Sequence, residues 1–422
     1  MAVKTRPSGN ANSATAIKKA NHDFMQQSIE KLAYCPVTGG SGQFATFTQN
    51  QTLFFDLPTL GSAYIKAFLI TYSIVFTPAN SGTASYAINA AFPWNILSQI
   101  KLDYGNTQIN AHPYFLKCLD ILHGYTRGPQ QTVLCGNNDQ TIATQLASQP
   151  PALTPGTQYT ITGKFLLRLN AIGEDTVPGI LPANTVGNTP QLKLTCATLM
   201  GNDPLTNPIA GTNGNGTAAI TVSNTSQISV EAVYLDGSSM KTNIPYLMNL
   251  DVEPTLQYYW EPPLTPFNAG TTWQRKQIST LLEHWYMISI IIDGQQSNTF
   301  LSSWNNLTAF AIGPDAGGQN FFRGYNAGNN IPIWDYFDRE WRLPHGQDLD
   351  LGVLAWVDAP SKGVTNPENR HGSQVLNMDP SNGGFVSTNH YYQVGAVSTA
   401  NNIVPRVETF LVSMNKQGLK IV

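Results

Sequence analysis

Charge is scarce in this chain. Asp, Glu, Lys and Arg make up 12% of its 422 residues, about half the ~25% usual for soluble domains. A net charge of −3 beside 41% hydrophobic residues excludes disorder driven by charge repulsion. Cysteine is scarcer still. Cys35, Cys118, Cys135 and Cys196 form no C-x-x-C pair and no metal-ligand spacing, which excludes a zinc module and a dense disulfide scaffold. Buried, reduced thiols are the expectation. Long apolar runs are absent: no stretch approaches the ~20 apolar residues of a membrane-spanning helix, and the longest, Trp285 to Ile292, is of strand length. The opening MAVKTRPSGN carries no apolar run of signal-peptide type, so synthesis in a cytoplasm is expected. Catalytic motifs are missing as well. No G-x-S-x-G, H-E-x-x-H, Walker A or G-x-G-x-x-G stands in a strand–helix setting, and the seven histidines have no metal-type spacing.

Asn, Thr, Gln, Ser and 35 Gly fill the place of the missing charge, together with 18 Phe, 17 Tyr and 8 Trp. Thr and aromatic residues favour strands, and a weakly charged surface suits faces that end against neighbours. The length predicts two domains. Twofold alternation begins past Gly40. Tyr64, Phe68, Ile70, Tyr72, Ile74 and Phe76 share one face of a long strand, with Thr71, Ser73 and Thr77 on the other. Further strands are expected at 44–55, 96–104, 159–169, 191–199 and 228–235. A second set is expected at 256–260, 278–292, 351–357, 384–387, 391–397 and 404–413. Pro113 to His123 and Ile331 to Leu343 read as one short helix within each set. Each set lies in a stretch long enough for one eight-stranded jelly roll, and the expected fold class is all-β, two tandem eight-stranded jelly-roll β-sandwiches with short helices and an N-terminal amphipathic helix. The expected divisions are an arm over 1–35, a first roll over 36–240 and a second over 241–422. Two nearly uncharged stretches, Gly201 to Gly216 and Gly313 to Asn330, read as excursions from the rolls.

The arm differs from the body. Five basic residues against Asp23 and Glu30 give it +3, which leaves −6 for the rest. Ile17, Phe24, Met25, Ile29 and Leu32 approximate a helical stripe between Ser13 and Tyr34, and Cys35-Pro36 ends it. Two readings stand: a helix packed on its own domain, or an arm that reaches a neighbouring subunit or a membrane surface. Ile17, Lys18, Lys19, Phe24, Ile29, Lys31 and Leu32 are the candidate contact residues of the second reading.

The carboxylates offer little chemistry. Asp335 and Arg339 are an i, i+4 surface pair on the expected helix, and Asp348 and Asp350 alternate with Leu349 and Leu351 as the outward face of a strand. A calcium site at Gly313 to Gly318 or near Asp348 is a minor alternative to solvated surface. No catalytic residue, cofactor or metal ligand is assigned. The body has no basic–aromatic patch of nucleic-acid type, so direct genome contact is not expected.

The segment FPWNILSQIKLDYGNTQI, Phe92 to Ile109, resembles the first-domain segment of major capsid proteins of tectivirus-type viruses, which are tailless and icosahedral with an internal membrane. A helix follows at the same relative place, His112 to His123. FFDLPTLGSAYIKAFLI before it is similar to that family's first two strands, and EDTVPGILPANTVGNTPQLKLT, Glu174 to Thr195, to the stretch before the late strand. The helix over Ile331 to Leu343 and the following LPHGQDLDL resemble the second roll. The resemblance implies homotrimers forming six-cornered capsomers, neighbouring capsomers as partners, and a shell around a lipid vesicle. Minor capsid or penton proteins and the internal membrane are further implied partners. The implied location is the virion capsid, after synthesis in a host cytoplasm, with a bacteriophage as the implied kind of virus. It also implies an arm on the inner side of the shell, where basic residues favour anionic head groups at ~1 kcal/mol each.

The competing reading is a β-sandwich that binds or degrades carbohydrate. Trp260, Trp273 and Trp304 would stack sugars and acidic pairs would hydrolyse them. The missing secretion signal weighs against it. A spike or penton protein is a third reading, but those are usually shorter single rolls.

Overall fold

The computed structural model describes residues 28–114 and 152–236, except 41, 61–62, 81, 90, 105, 170–180, 183–189, 202–204 and 213–217. Beyond residue 236 it describes the backbone of ten strands between 255 and 415. The strands of the first half are β1 (Ile29–Tyr34), β2 (Phe44–Thr46), β3 (Thr52–Asp56), β4 (Ala63–Pro78), β5 (Ser85–Ile88), β6 (Leu97–Tyr104) and β7 (Asn106–Ala111). They continue with β8 (Ala152–Leu153), β9 (Tyr159–Arg168), β10 (Leu181–Pro182), β11 (Gln191–Cys196), β12 (Ile209–Thr212), β13 (Ile220–Val222) and β14 (Gln227–Asp236). The second half holds β15 (Thr255–Trp260), β16 (Gln274–Ile278), β17 (His284–Ile292), β18 (Gln295–Gln296) and β19 (Thr299–Phe300). After them come β20 (Leu307–Gly313), β21 (Arg323–Asn326), β22 (Val353–Asp358), β23 (Thr388–Val394) and β24 (Arg406–Asn415).

In the first half, one sheet runs β1 and β2, then β14, then β4, then β9 and β10; β13 pairs with the far end of β4. The facing strands run β3, β11, β6, β7. Ranking the main strands in chain order gives 1-8-3-6 for one sheet and 2-7-4-5 for the other. The second half repeats both orders, as β15-β24-β17-β22 and β16-β23-β20-β21. A long hairpin pairing 1 with 8, 2 with 7, 3 with 6 and 4 with 5, then rolled over, produces this arrangement. It is the jelly roll, and the chain contains it twice.

The core of the first roll lies between its two sheets. From β4, Phe68, Ile70, Tyr72, Ile74 and Phe76 point inward at 0–2% exposure, with Leu69, Thr71, Ser73, Val75 and Thr77 partly exposed between them. Phe55, Ile100, Leu102, Leu192 and Leu194 meet them from the facing sheet. The alternation does not hold along the whole strand. The register against β14 shifts at Val233 and Tyr234, which pair with Ala67 and Ile65 and leave Lys66 as an extra residue. Beyond this bulge the faces exchange, so Ile65 joins the core cluster, while Tyr64 is buried but lies outside that cluster.

The expected strand over 44–55 is two strands in different sheets. β2 pairs with β14 and β3 with β11. The break is a turn in which Gln51 N donates to Thr48 O at 3.1 Å and Asn50 takes φ 62°, a left-handed conformation that Asn tolerates better than most residues. The expected strand over 278–292 likewise divides into β16 and β17, again one to each sheet. Both breaks are the corner where the rolled hairpin crosses from one sheet to the other. Of the helix expected at 113–123 only Pro113 and Tyr114 are described, both helical, while the helix expected at 331–343 and the strand at 384–387 lie outside the described residues.

Gly163 of β9 sits opposite Tyr72, and a Cβ there would fall well inside contact distance of the Tyr72 hydroxyl and ring. The ring also leans on Phe165, with centroids 5.7 Å apart. Gly163 is thus the space that the tyrosine fills. Gly163→Val is expected to destabilise by about 1–3 kcal/mol, the usual cost of overpacking, and Tyr72→Ala to relieve much of that cost in the double variant. Thermal or urea melting of the two singles and the double checks both statements.

Candidate assembly surface

With both outer edges of its sheets in view, the first roll shows two different kinds of surface. The outer side of β3, β11 and β6 is polar apart from Phe54, which is 40% exposed, and its polar groups pair with one another. Lys193 reaches Asp103 at 2.7 Å and Lys101 reaches it at 3.4 Å. The Lys193 ammonium lies 5.6 Å from the Phe54 ring centroid. Gln191 Nε2 and Thr38 Oγ1 both donate to Asp56 Oδ1, at 2.9 and 2.7 Å, and Gln99 donates to Asn110 Oδ1 at 2.6 Å. Groups already paired in this way have little to offer a partner.

The other surface is the edge formed by β1 and β2. β1 pairs antiparallel with β14 from Ile29↔Asp236 to Tyr34↔Glu231; Cys35 N then donates to Val230 O at 2.9 Å, and β2 continues from Phe44↔Ser229. These residues cover one long side of β14 while β4 covers the other. Ion pairs fasten β1 at its start: Lys31 with Asp236, and Glu30 with Lys66. The Asp236 carboxylate, through its hydrogen bond and its charge, holds the Lys31 ammonium above its ordinary pKa.

This corrects the end of the helix expected over residues 13–34, of which residues 13–27 lie outside the described residues. Ile29 to Tyr34 is a strand, because pairing with β14 satisfies backbone groups along an otherwise open edge, and that tertiary demand overrides the three-and-four spacing of Ile29 and Leu32. Of the candidate contact residues, Ile17, Lys18, Lys19 and Phe24 lie outside the described residues. Ile29, Lys31 and Leu32 lie on β1, with the Lys31 ammonium engaged by Asp236.

Apolar side chains stand exposed on that edge. Ile29 is 52% exposed, Leu32 54%, Tyr34 42% and Phe44 55%. Leu32, Tyr34 and Phe44 pair with Val233, Glu231 and Ser229, alternate residues of β14, and so share the outer face opposite the core-facing Ile228, Val230 and Ala232. Leu32 was expected on a helical stripe, and Tyr34 and Phe44 were not among the candidate contact residues. Their signal was alternation across two short strands that belong to one edge.

Both expected excursions carry strands. β12 pairs with β5, and β5 with β8. The side-chain amides of Asn89 and Asn95 donate to Asn207 O at 2.6 and 2.8 Å and pin the start of that segment. β21 runs within the second excursion and closes the sheet β16-β23-β20-β21. Cys35 and Cys196 are buried free thiols, and desolvation pushes each up to about 12. Cys118 and Cys135 lie outside the described residues, as do Asp335, Asp338, Asp348, Asp350, Trp273 and Trp304. Trp260 ends β15, opposite Phe410.

No protein-family model and no curated protein matches this sequence. Solved structures do match. The major capsid protein of STIV aligns with a TM-score of 0.53 at 9% identity, over 92% of this chain and 97% of that one. A chain from the atomic structure of Sulfolobus Turreted Icosahedral Virus aligns with a TM-score of 0.51 at 11% identity, over 91% and 90%. The chain has the double jelly-roll fold of viral major capsid proteins. Within this double jelly roll, β7 of the first roll pairs in parallel with β15 of the second through Ile109↔Tyr258 and Asn110↔Tyr259. One eight-stranded sheet thereby spans both rolls, in the order β22-β17-β24-β15-β7-β6-β11-β3.

Because β1 belongs to the first sheet, its removal is expected to matter where removal of the preceding residues does not. A chain starting at Ser28 should melt within about 2 °C of full length. One starting at Val37 should melt about 5–10 °C lower, since ~1 kcal/mol corresponds to about 2–4 °C for a domain of this size. Scanning calorimetry of the three chains checks this.

Proposed function

We propose that this chain is a structural major capsid protein that acts by self-association and carries out no catalysis. Three copies form a capsomer of six jelly rolls, and capsomers tile an icosahedral shell around an internal membrane. The observation that carries the reading is the doubled strand order, with the two rolls joined side by side in one sheet. An enzyme has no need to repeat a complete sandwich in matching orientation, whereas a shell tile gains a near-hexagonal outline from three double units. The sparse charge agrees with extensive subunit contact, since neutral Asn, Thr, Gln and aromatic surfaces are cheaper to desolvate than ions.

The arm before β1 carries Lys4, Arg6, Lys18 and Lys19 against Asp23 alone. Its place in this account is the inner side of the shell, where ~1 kcal/mol per basic residue near an anionic surface would hold it to the membrane. Minor capsid or penton proteins would occupy the positions that six-cornered tiles cannot fill. A bacteriophage is the kind of virus in view, with synthesis in the host cytoplasm and assembly into the virion.

Sedimentation equilibrium of the purified chain tests the reading. The expected mass is three times the 46.0 kDa chain, about 138 kDa. It should change little between low and high salt, because an obligate interface above ~2,000 Å² rests on apolar burial more than on ion pairs. A monomer that persists at all concentrations contradicts it.

A further inference from the structure

The strand pairing within one chain points to how one copy meets the next, given the trimer proposed above. Rank five of the first roll, β7, lies beside rank one of the second, β15, and the two are parallel. In a rolled hairpin all odd-ranked strands run in one sense. A rotation about an axis along the strands preserves that sense, so two rolls related in this way must meet with ranks five and one parallel, as they do. Repeating the operation brings rank five of the second roll against rank one of a first roll. Those strands are β21 and β1, and both are edges of their sheets among the described residues.

The registers of the two first-ranked strands correspond. β1 begins opposite the last residue of β14, Ile29↔Asp236, and β15 begins opposite the last residue of β24, Thr255↔Asn415. Each spans six residues. Counting from those pairs, Leu32 and Ala33 hold on β1 the places of Tyr258 and Tyr259 on β15, the two residues that pair with β7. Leu32 is 54% exposed, and Tyr34 and Phe44 extend the same outer face along the edge. Edge strands are ordinarily blunted by charge or by a covering segment. The two charges near the start of β1 are instead spent on Asp236 and Lys66 of its own roll, so apolar side chains are left at the joint.

We propose that β21 of one copy adds in parallel to the β1 edge of the next, centred on Leu32 and Ala33, and that this joint closes the trimer. The contact is heterologous, with two different edges meeting, and such a contact closes into a ring when the rotation divides a full turn. Backbone hydrogen bonds supply the fit, as in strand addition elsewhere, and Leu32, Tyr34 and Phe44 supply the apolar burial.

Cysteine cross-linking in the full-length protein tests this against the proposed trimer. Leu32→Cys combined with Tyr325→Cys, oxidised under native conditions, is expected to give covalent dimer and trimer on a denaturing gel, and either single variant only monomer. Leu32→Asp is expected to sediment as a monomer with an unchanged circular dichroism spectrum. If the wild type is trimeric but the double variant gives no covalent trimer and Leu32→Asp stays trimeric, the joint is refuted while the capsid reading stands. If Leu32→Cys alone gives a covalent dimer, β1 meets β1 across a twofold axis and the heterologous joint is refuted. If the wild type is monomeric, both readings fall.

Discussion

Every sheet edge exposes backbone amide and carbonyl groups that must be paired with chain, partner or water. The organisation of this protein follows from where those edges are closed. β14 is covered along its length by β4 on one side and by β1, Cys35 and β2 on the other. The free side of β7 is closed by β15, which joins one sheet of each sandwich into a single eight-stranded sheet. A jelly roll alone leaves four edges. Joining two rolls through one edge of each leaves a rank-one edge, β1, on the first and a rank-five edge, β21, on the second.

That arrangement accounts for the composition. The polar outer side of β3, β11 and β6 uses its few ions on one another, Lys101 and Lys193 on Asp103. The β1 edge uses its ions inward and leaves apolar side chains outward. A low-charge sequence can fold this way because β-sandwich cores need alternation rather than surface charge. The buried thiols at Cys35 and Cys196, each held protonated by desolvation, belong to the core.

Much of the fold was legible in the sequence because alternation is a local signal. β4 could be read from Phe68, Ile70, Tyr72, Ile74 and Phe76, and β9, β11, β14 and β24 from similar patterns. The features that escaped are those set by distant partners. Nothing local marks Lys66 as a bulge; it is defined by the register of β14, more than 160 residues away. The pattern from Phe44 to Phe55 runs through its own corner, so one strand was expected where two serve different sheets. Asn106 to Ala111 is too polar and short to declare itself a strand, yet it is the joint between the rolls. Ile29 and Leu32 satisfy a helical spacing as well as a strand, and only the open side of β14 decides between them. The strand form of this edge was therefore not legible in the sequence.

The central claim is that two rolls per chain, related by a rotation along their strands, continue into a closed ring. Direct imaging of the purified protein by negative-stain electron microscopy, with class averages viewed down the particle axis, tests it most directly. The account predicts a six-cornered outline with threefold symmetry, alternate corners differing because the two rolls carry different insertions. Two-lobed particles, or rings with an odd number of lobes, would contradict it.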